Sequence, residues 1–500
     1  MKKTIILAAA ALLAVACNLN RYPISEVAAD AYVKDAKSVE NLVIGAYNAL
    51  YDVAYNEWAV TELRSDNVRM RVNASTAQDT KEIQQLDNGT ILSGNSFVGN
   101  YWDGAYRVIN RANSVLPYLD VVEDPVVRAS FEGEALFLRA WMYFNIVRLW
   151  GPAFIVTRKT GADEARHMQR SPVEDVYAQI EEDLEKVVDE ELLPLERTGA
   201  ELGRVDLRAA KVMLAKVYVT HYKVSDEHYA KAKTLLSEVL TACGNPASGS
   251  QLEKFDKVFA TDNEMNKEII FAIRYRSGKL GIGSPFTTLY APINNGGNVA
   301  IGSPKHYNFP SDNLIAAFNE NEGDLRKDVT LQESYYNKTT GQVVTTNARY
   351  CNKFIDPAMA SEWDAENDFP VIRLADVMLL LAEVSNELAG PSAESLTLLN
   401  AIRERAGIPV YTTDDVASKY AFREAVRKER RVELALENQY WFDLLRWGTA
   451  VARVNAFFQN EPFFGAYDFT VNPIAEWQTL LPIPQSVKNV NSEVAQNPGY

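Results

Sequence analysis

The chain of 500 residues has little of what several large classes of protein need. It holds three cysteines and four histidines, so a disulfide framework cannot organise the fold. His221 and His228 are seven positions apart, which is about 10.5 Å along a helix and too far for a shared zinc ion with bonds of about 2 Å. The sequence therefore predicts no metal site and no cofactor.

Positive charge is also scarce. The chain has 51 Lys and Arg against 66 Asp and Glu, a net charge of −15, and no run of five basic residues. Nucleic-acid binding depends on clusters of Lys and Arg that neutralise phosphates. We therefore predict no nucleic-acid partner.

No apolar run is long enough to cross a membrane. The run Ile5–Ala16 has 12 residues, which would span roughly 18 Å as a helix against a hydrocarbon core of about 30 Å. Lys2 and Lys3 precede it, as in a secretory signal peptide. Its end, Leu13-Ala14-Val15-Ala16-Cys17, resembles a bacterial lipobox. We therefore predict a signal peptide at 1–16, lipidation of Cys17 and a tether at 17–25; the alternative is an ordinary signal peptide.

Motifs for catalysis are mostly missing. The sequence has no Gly-x-Ser-x-Gly elbow, no His-Glu-x-x-His and no Walker loop. The glycine-rich turn Gly278–Gly283 is not followed by a helix at phosphate-binding spacing. Acid pairs for glycoside hydrolysis remain open, because the spacing of the 66 acidic residues singles out no pair. The charged segment Phe422–Trp447 is interpreted as a partly buried ion network rather than an active site.

Helical periodicity covers most of the chain. In 38–53, for example, Val39, Leu42, Val43 and Ala46 form an apolar stripe. The predicted helices cover residues 38–53, 101–119, 134–149, 173–188, 206–219, 228–240, 374–388, 392–405 and 422–447. The pairs 206–219 with 228–240 and 375–388 with 393–405 place small residues where two helices would cross, as in tetratricopeptide-like pairs. The predicted fold is mainly α, a tetratricopeptide-like helical-pair array with a loop-rich, partly β variable region.

The middle of the chain differs from the helical parts. Glu268–Tyr275 is β-rich, Ser277–Pro310 holds many Gly, Asn and Pro residues, and Tyr335–Phe354 predicts a hairpin around Thr339–Gln342. Long irregular stretches with interleaved aromatics favour a binding surface. We predict an N-terminal helical half at 26–265, a variable region at 266–370 and a C-terminal helical half at 371–500.

Several motifs, in order along the chain, carry a resemblance to a known family. They are Trp102-x-x-x-Tyr106-x-x-Ile109-x-x-x-Asn113, Glu134-Ala-x-Phe137-x-Arg139-Ala140, Ile372-Arg373-Leu374-Ala375-Asp376, Ile402-Arg403-x-Arg405-Ala406-Gly407, Glu429-Arg430-Arg431-x-Glu433-Leu434, Phe442-Asp443-Leu444-x-Arg446-Trp447 and Gln496-Asn497-Pro498-Gly499. With these motifs the chain resembles the SusD/RagB family of Bacteroidetes outer-membrane lipoproteins. The resemblance covers nearly all of the chain after the predicted signal peptide.

The resemblance implies a function as well as a mostly α fold. It implies a non-catalytic protein of the outer membrane, lipid-anchored and surface-exposed, that binds oligosaccharides or, in some members, peptides. It also implies a SusC-type TonB-dependent transporter as partner. Surface-exposed relatives often carry an acidic run after the lipidated cysteine, and Asn18–Arg21 has none.

Ligand sites in the family lie on variable loops, so we expect the ligand between two loop regions. The candidate residues are Asp66, Asn67, Arg69 and Arg71 from the first loop, and Tyr290, Asn294, Asn295, Tyr336 and Trp363 from the second. Aromatic rings can stack on the C–H faces of sugars while amide and charged groups orient hydroxyls. Three alternatives stay open: a peptide-capturing subunit, a surface glycoside hydrolase and a helical scaffold that binds only protein.

Overall fold

The computed structural model describes residues 32–70, 78–461 and 472–500. The predicted signal peptide, the lipidation site Cys17 and the candidate ligand residue Arg71 lie outside these described residues.

The N-terminal half is a packed array of helices. Their bounds are α1 Ala36–Asn48, α2 Leu50–Val60, α3 Gln78–Asp87, α4 Ser96–Asn113, α5 Pro125–Trp150, α6 Ala162–Ala165, α7 Val173–Asp189, α8 Leu207–His221 and α9 Glu227–Ala242. Side-chain caps fix several starts, since Asp35, Asn95 and Asp124 accept hydrogen bonds from the first-turn N–H groups of α1, α4 and α5. Helix α5 is buried along most of its 26 residues and packs against α1, α4 and α7.

The predicted helical pairs are confirmed. A short connection joins α8 to α9, and another joins α14 (Leu374–Ala389) to α15 (Ala393–Arg405). Helix α9 also packs against α14, so the two pairs form one continuous stack. This stack belongs to the large apolar core that the two helical halves share.

The variable region leaves and rejoins the helical frame at one small sheet. Strand β2 (Ile269–Ile273) pairs antiparallel with β6 (Phe369–Arg373), with Ile273 opposite Phe369. The short helix α10 (Phe255–Val258) comes before β2. Three more short helices lie between β2 and β6: α11 Phe286–Tyr290, α12 Asp312–Asn319 and α13 Arg326–Thr330. The predicted hairpin is confirmed as β4 (Leu331–Asn337) and β5 (Gln342–Cys351), and it starts earlier than predicted. Strand β1 (Val68–Arg69) pairs with β3 (Phe309–Pro310) and so ties the first loop to the variable region.

The C-terminal half continues with α16 Lys419–Glu433, α17 Tyr440–Arg446, α18 Ala450–Asn460 and α19 Gln485–Val490. The prediction of one helix over 422–447 is wrong, because the helix ends at Glu433 and a new one begins at Tyr440. Leu436 and Asn438 adopt positive φ angles of 66° and 61°. Groups from distant elements bond the freed backbone: Arg373 Nη2 donates to the carbonyl of Glu433 (2.6 Å) and Lys353 Nζ to that of Ala435 (2.8 Å).

No helix among the described residues is long and apolar enough to span a bilayer. Two cysteines of the described residues, Cys243 and Cys351, are free thiols, the second fully buried. Apolar packing, together with the buried charges described next, therefore holds this part of the fold together.

Candidate functional site

The charged segment of α16 lies in the interior and forms part of a buried ion network. The network consists of five cations and five carboxylates, and each of these side chains is at most 5 % exposed. The cations are Arg326, Lys353, Arg373, Arg403 and Arg405, and the carboxylates are Glu268, Asp324, Glu429, Glu433 and Glu437. Helices α13, α15 and α16 and the ends of β2, β5 and β6 all contribute to it.

Glu433 is the centre of this network. Its carboxylate lies 2.6 Å from Arg373 Nη1, 2.5 Å from Arg405 Nη2 and 3.1 Å from Arg326 Nη1. Burial alone would raise the pKa of this carboxyl, but the three guanidinium groups hold the pKa well below its usual range. The carboxylate form is therefore favoured, and because the side chain has no exposed surface its role is structural.

The first-loop candidates are buried and bonded to distant helices. Arg431 Nε donates to Asn67 Oδ1 (2.9 Å), and Arg431 and Arg453 both reach Asp66 Oδ2, at 3.1 and 2.6 Å. Arg69 pairs with Asp87 at 3.4 Å. Asp66, Asn67 and Arg69 are each at most 1 % exposed. In this structure they fasten the loop and present almost no surface, and their contact with a ligand stays a prediction.

Tyr290 and Asn295 from the second loop are buried as well. The ring of Tyr290 stacks on Phe286 at 5.7 Å, and burial raises the pKa of its hydroxyl well above the usual value. The Asn295 side chain donates to the Pro292 carbonyl (2.8 Å) and accepts from the Val299 N–H (3.0 Å). Both residues shape the loop from within, and their contact with a ligand stays a prediction.

Three predicted residues do reach the surface. Asn294 is exposed, Trp363 is half-buried, and Tyr336 is 59 % exposed on β4, opposite Val343 of β5. The hairpin turn is joined to the Asn294 loop, because the Lys338 N–H donates to Asn298 Oδ1 (2.8 Å). That the three surface residues contact a ligand stays a prediction.

Four half-buried rings are carried by α2 or pack on its side chains, and we call them the aromatic platform: Tyr51, Tyr55, Tyr307 and Trp363. Tyr51 and Tyr55 lie one turn apart on α2, and the ring centroids of Tyr55 and Trp363 are 6.2 Å apart. Tyr307 stacks on the buried Trp58, also of α2, at 4.9 Å. Helix α2 thus supports rings from the variable region from below.

The backbone of Trp363 is strained and held in place. Its φ of 61° is unusual for a bulky residue and suggests a functional constraint. The Trp363 N–H donates to Thr288 Oγ1 (3.1 Å), and Ala365 forms a β-bridge with Ser284. Lys305 Nζ lies 5.9 Å from the Trp363 ring centre.

The acidic side chains around Trp363 accept hydrogen bonds from neighbouring loops. Glu362 accepts from the Ser303 N–H (3.0 Å), Asp364 from the Lys279 N–H (2.9 Å), and Glu366 from the Ser277 N–H (2.8 Å). These bonds anchor both neighbouring loops to the segment that carries Trp363. The carboxylates of Glu362, Asp364 and Glu366 therefore have a structural role beside the platform.

Sequence reasoning missed Tyr51 and Tyr55. The apolar stripe predicts a core-facing helix over 38–53, which contains Tyr51 but not Tyr55. The i, i+4 spacing of these two tyrosines was the available signal. Among the described residues, no three His, Cys, Asp or Glu side chains come together in a way that could hold a metal ion.

Two family models match the chain. Residues 305–500 match the model described as "SusD family", and residues 24–219 match the one described as "Starch-binding associating with outer membrane". "SusD-like protein P25" of Formosa agariphila is 25% identical over 96% of this chain and 96% of its own, and a "SusD-like protein" of Bacteroides ovatus is 26% identical over 99% and 96%.

Solved structures share the fold. A "Laminarin binding SusD-like protein" has a TM-score of 0.76 and 24% identity, and covers 93% of this chain and 100% of its own. "Surface glycan-binding protein A from Bacteroides thetaiotaomicron in complex with laminarihexaose" has a TM-score of 0.74 and 19% identity, over 92% and 99%. The similarity therefore extends over the helical frame and the variable region together.

Proposed function

Since this chain belongs to the SusD/RagB family, we propose that it is a non-catalytic outer-membrane lipoprotein that captures oligosaccharides and delivers them to a SusC-type TonB-dependent transporter. Acyl chains on Cys17 would hold it at the membrane, since two or more chains anchor a protein far better than one. The frame of helices would then present the variable region to solvent.

The aromatic platform is the observation that carries the glycan-binding proposal. Sugar rings offer C–H faces that pack on aromatic rings, and Tyr55 and Trp363 lie close enough to contact one ligand together. Both rings are held before any ligand arrives, Tyr55 by a helix and Trp363 by its bonded backbone. Such preorganisation lowers the ordering cost of binding.

Polar groups beside the platform would orient the ligand. Lys305 is exposed next to Trp363 and can donate to sugar hydroxyls. Asn294 and Tyr336 lie on the two loops joined by the Lys338–Asn298 bond and form our proposed outer edge of the site. The buried candidates Tyr290 and Asn295 would act only through the shape of the loop.

Calorimetry with the purified protein tests this proposal. Laminarihexaose is the first probe, because two structural relatives carry laminarin or its hexasaccharide in their names; other oligosaccharides and a peptide panel follow. We expect Trp363→Ala and Tyr55→Ala each to weaken oligosaccharide binding about tenfold or more, as loss of a central aromatic contact does. Trp477→Ala is the matched control, since Trp477 is 38 % exposed and packs instead on Tyr500.

Other outcomes would refute specific parts of the proposal. Binding of peptides but of no oligosaccharide would make the protein a peptide-capturing subunit. Cleavage of a bound oligosaccharide by the pure protein would make it a hydrolase. Full affinity in the double variant Trp363→Ala, Tyr55→Ala would remove the platform from the site, and failure to co-purify a large barrel partner would refute the transporter assignment.

A further inference from the structure

A concave site lies on the C-terminal helices, built from residues other than those of the aromatic platform. It is a cleft of about 180 Å³ between α12, α15, α16, α17 and α18, which we call the cationic cleft. Its cations are Arg403, Arg427, Lys428, Arg431 and Arg453. The lining carboxylates are three, Glu320, Glu424 and Glu429, so cations outnumber carboxylates in this lining although the net charge of the chain is −15.

Aromatic rings hold three of the arginines in place. The guanidinium carbon of Arg403 lies 4.0 Å from the Tyr411 ring centre, that of Arg427 lies 4.9 Å from Trp447, and that of Arg431 lies 5.2 Å from Tyr440. A guanidinium that packs on a ring keeps its N–H donors at its edge, where they can bind a planar oxyanion. Because an arginine lies over each of these rings, charged groups dominate this part of the cleft lining.

The counter-charges are shared or weakly held. Arg431 and Arg453 both reach one oxygen of Asp66, and Glu429 also pairs with Arg326. Arg427 is 24 % exposed and makes one long bond, 3.3 Å, to Glu424. Within residues 32–70, 78–461 and 472–500, its buried Nε has no hydrogen-bond partner.

Arg453 offers further donors. Its side chain is 43 % exposed, and among the described residues its hydrogen bonds, to Asp66 and the Tyr440 hydroxyl, all come from Nη2. Arg427 and Arg453 are therefore cations whose N–H groups are only partly used. An incoming oxyanion can bind them without breaking the buried network.

We propose that the cationic cleft binds the oxyanion of an acidic sugar residue, a carboxylate or a sulfate ester. Charge-assisted bonds from arginine to such groups are among the strongest hydrogen bonds in proteins. The volume is below the about 300–1,000 Å³ of pockets that enclose a drug-sized ligand, so the cleft takes one charged residue of a larger molecule. The assignment of the oxyanion to a sugar rests on the proposed function, whereas the oxyanion site itself does not.

Calorimetry on the full chain at low ionic strength tests the cleft with small probes: sodium glucuronate, glucose 6-sulfate, inorganic sulfate and glucose. We expect one of the acidic sugars to bind with an affinity that falls as salt rises, and glucose not to bind in the cleft. Arg427→Gln and Arg453→Gln should each weaken that binding about tenfold or more. Glu424→Gln removes a competing carboxylate and should strengthen it, a gain that a misfolded variant cannot give.

Matched controls separate this site from the aromatic platform. Arg158→Gln removes an exposed arginine elsewhere on the surface and should leave the affinity unchanged, as should Trp363→Ala. Absence of binding by both acidic sugars, or equal affinity in Arg427→Gln, Arg453→Gln and the parent protein, would overturn the oxyanion site. Equal binding of inorganic sulfate and the acidic sugars would overturn the sugar assignment, and the laminarihexaose measurement reports on the platform separately.

Discussion

Replacing Glu433 by glutamine tests whether the buried ion network holds the C-terminal half together. The change keeps the shape of the side chain and removes one of five carboxylates that balance five cations. Arg326, Arg373 and Arg405 would then share an uncompensated positive charge in the interior. Breaking a buried ion pair in this way costs about 3–5 kcal/mol, a large part of the about 5–15 kcal/mol that stabilises a typical domain.

Urea unfolding at pH 7, followed by circular dichroism, measures that loss. We expect Glu433→Gln to lower the free energy of unfolding by about 3 kcal/mol or more. Glu394→Gln is the control, because Glu394 is exposed on α15, and its effect should stay within about 0.5 kcal/mol.

A double variant separates the charge argument from a packing argument. Arg405→Gln added to Glu433→Gln restores equal numbers of buried positive and negative groups. The double variant should therefore lose less stability than the two single losses added together. A loss of under about 1 kcal/mol in Glu433→Gln, or strict additivity in the double variant, would refute our account of the network.

Three further predictions concern single residues. Burial raises the pKa of Glu57 from 4.5 to about 7, so the folded state binds the proton more tightly than the unfolded state. The free energy of unfolding should therefore fall by about 3 kcal/mol as pH rises from 4.5 to 7, at 1.36 kcal/mol per pKa unit. Urea unfolding of Glu57→Gln should lack this pH-dependent component, and equal pH slopes in the two proteins would contradict the prediction. A Cβ at Gly283 would lie 2.5 Å from the backbone of Asp364, so Gly283→Ala should displace the neighbouring Trp363 and weaken oligosaccharide binding in calorimetry; unchanged affinity would contradict it. Because Cys243 is a free thiol, the unfolding midpoint should be insensitive to reductant in the parent protein as in Cys243→Ser. A shift with reductant in the parent protein that Cys243→Ser lacks would contradict this.

The helical pairs could be predicted because their signal is local. The apolar spacing within α8, α9, α14 and α15 depends on residues three or four apart, and the chain shows it directly. The break after Glu433 could not be predicted in this way. It depends on Lys353 and Arg373, which bond the freed carbonyls from another part of the chain.

The same distinction applies to the candidate site. Sequence reasoning placed Trp363 in a binding loop, and the structure puts it at the surface next to Tyr55. Asp66 and Asn67 are polar residues typical of an exposed loop, but they are buried against Arg431, a residue far away in the sequence that bonds both of them. Burial of a polar side chain by a distant partner leaves no local pattern in the sequence. The burial of Asp66 and Asn67 could therefore not be predicted from the sequence.

The two-stranded sheet of β2 and β6 has a consequence for how new specificities could arise. Because residues 274–368 depart and return at adjacent positions, a whole segment could be exchanged between relatives, like an interchangeable head, with the supporting helices left intact. Such a graft would have to keep the pairing of β3 with β1. It must also bring its own equivalents of Asp324, Arg326 and Lys353, since a segment without them would leave unbalanced charges in the buried ion network.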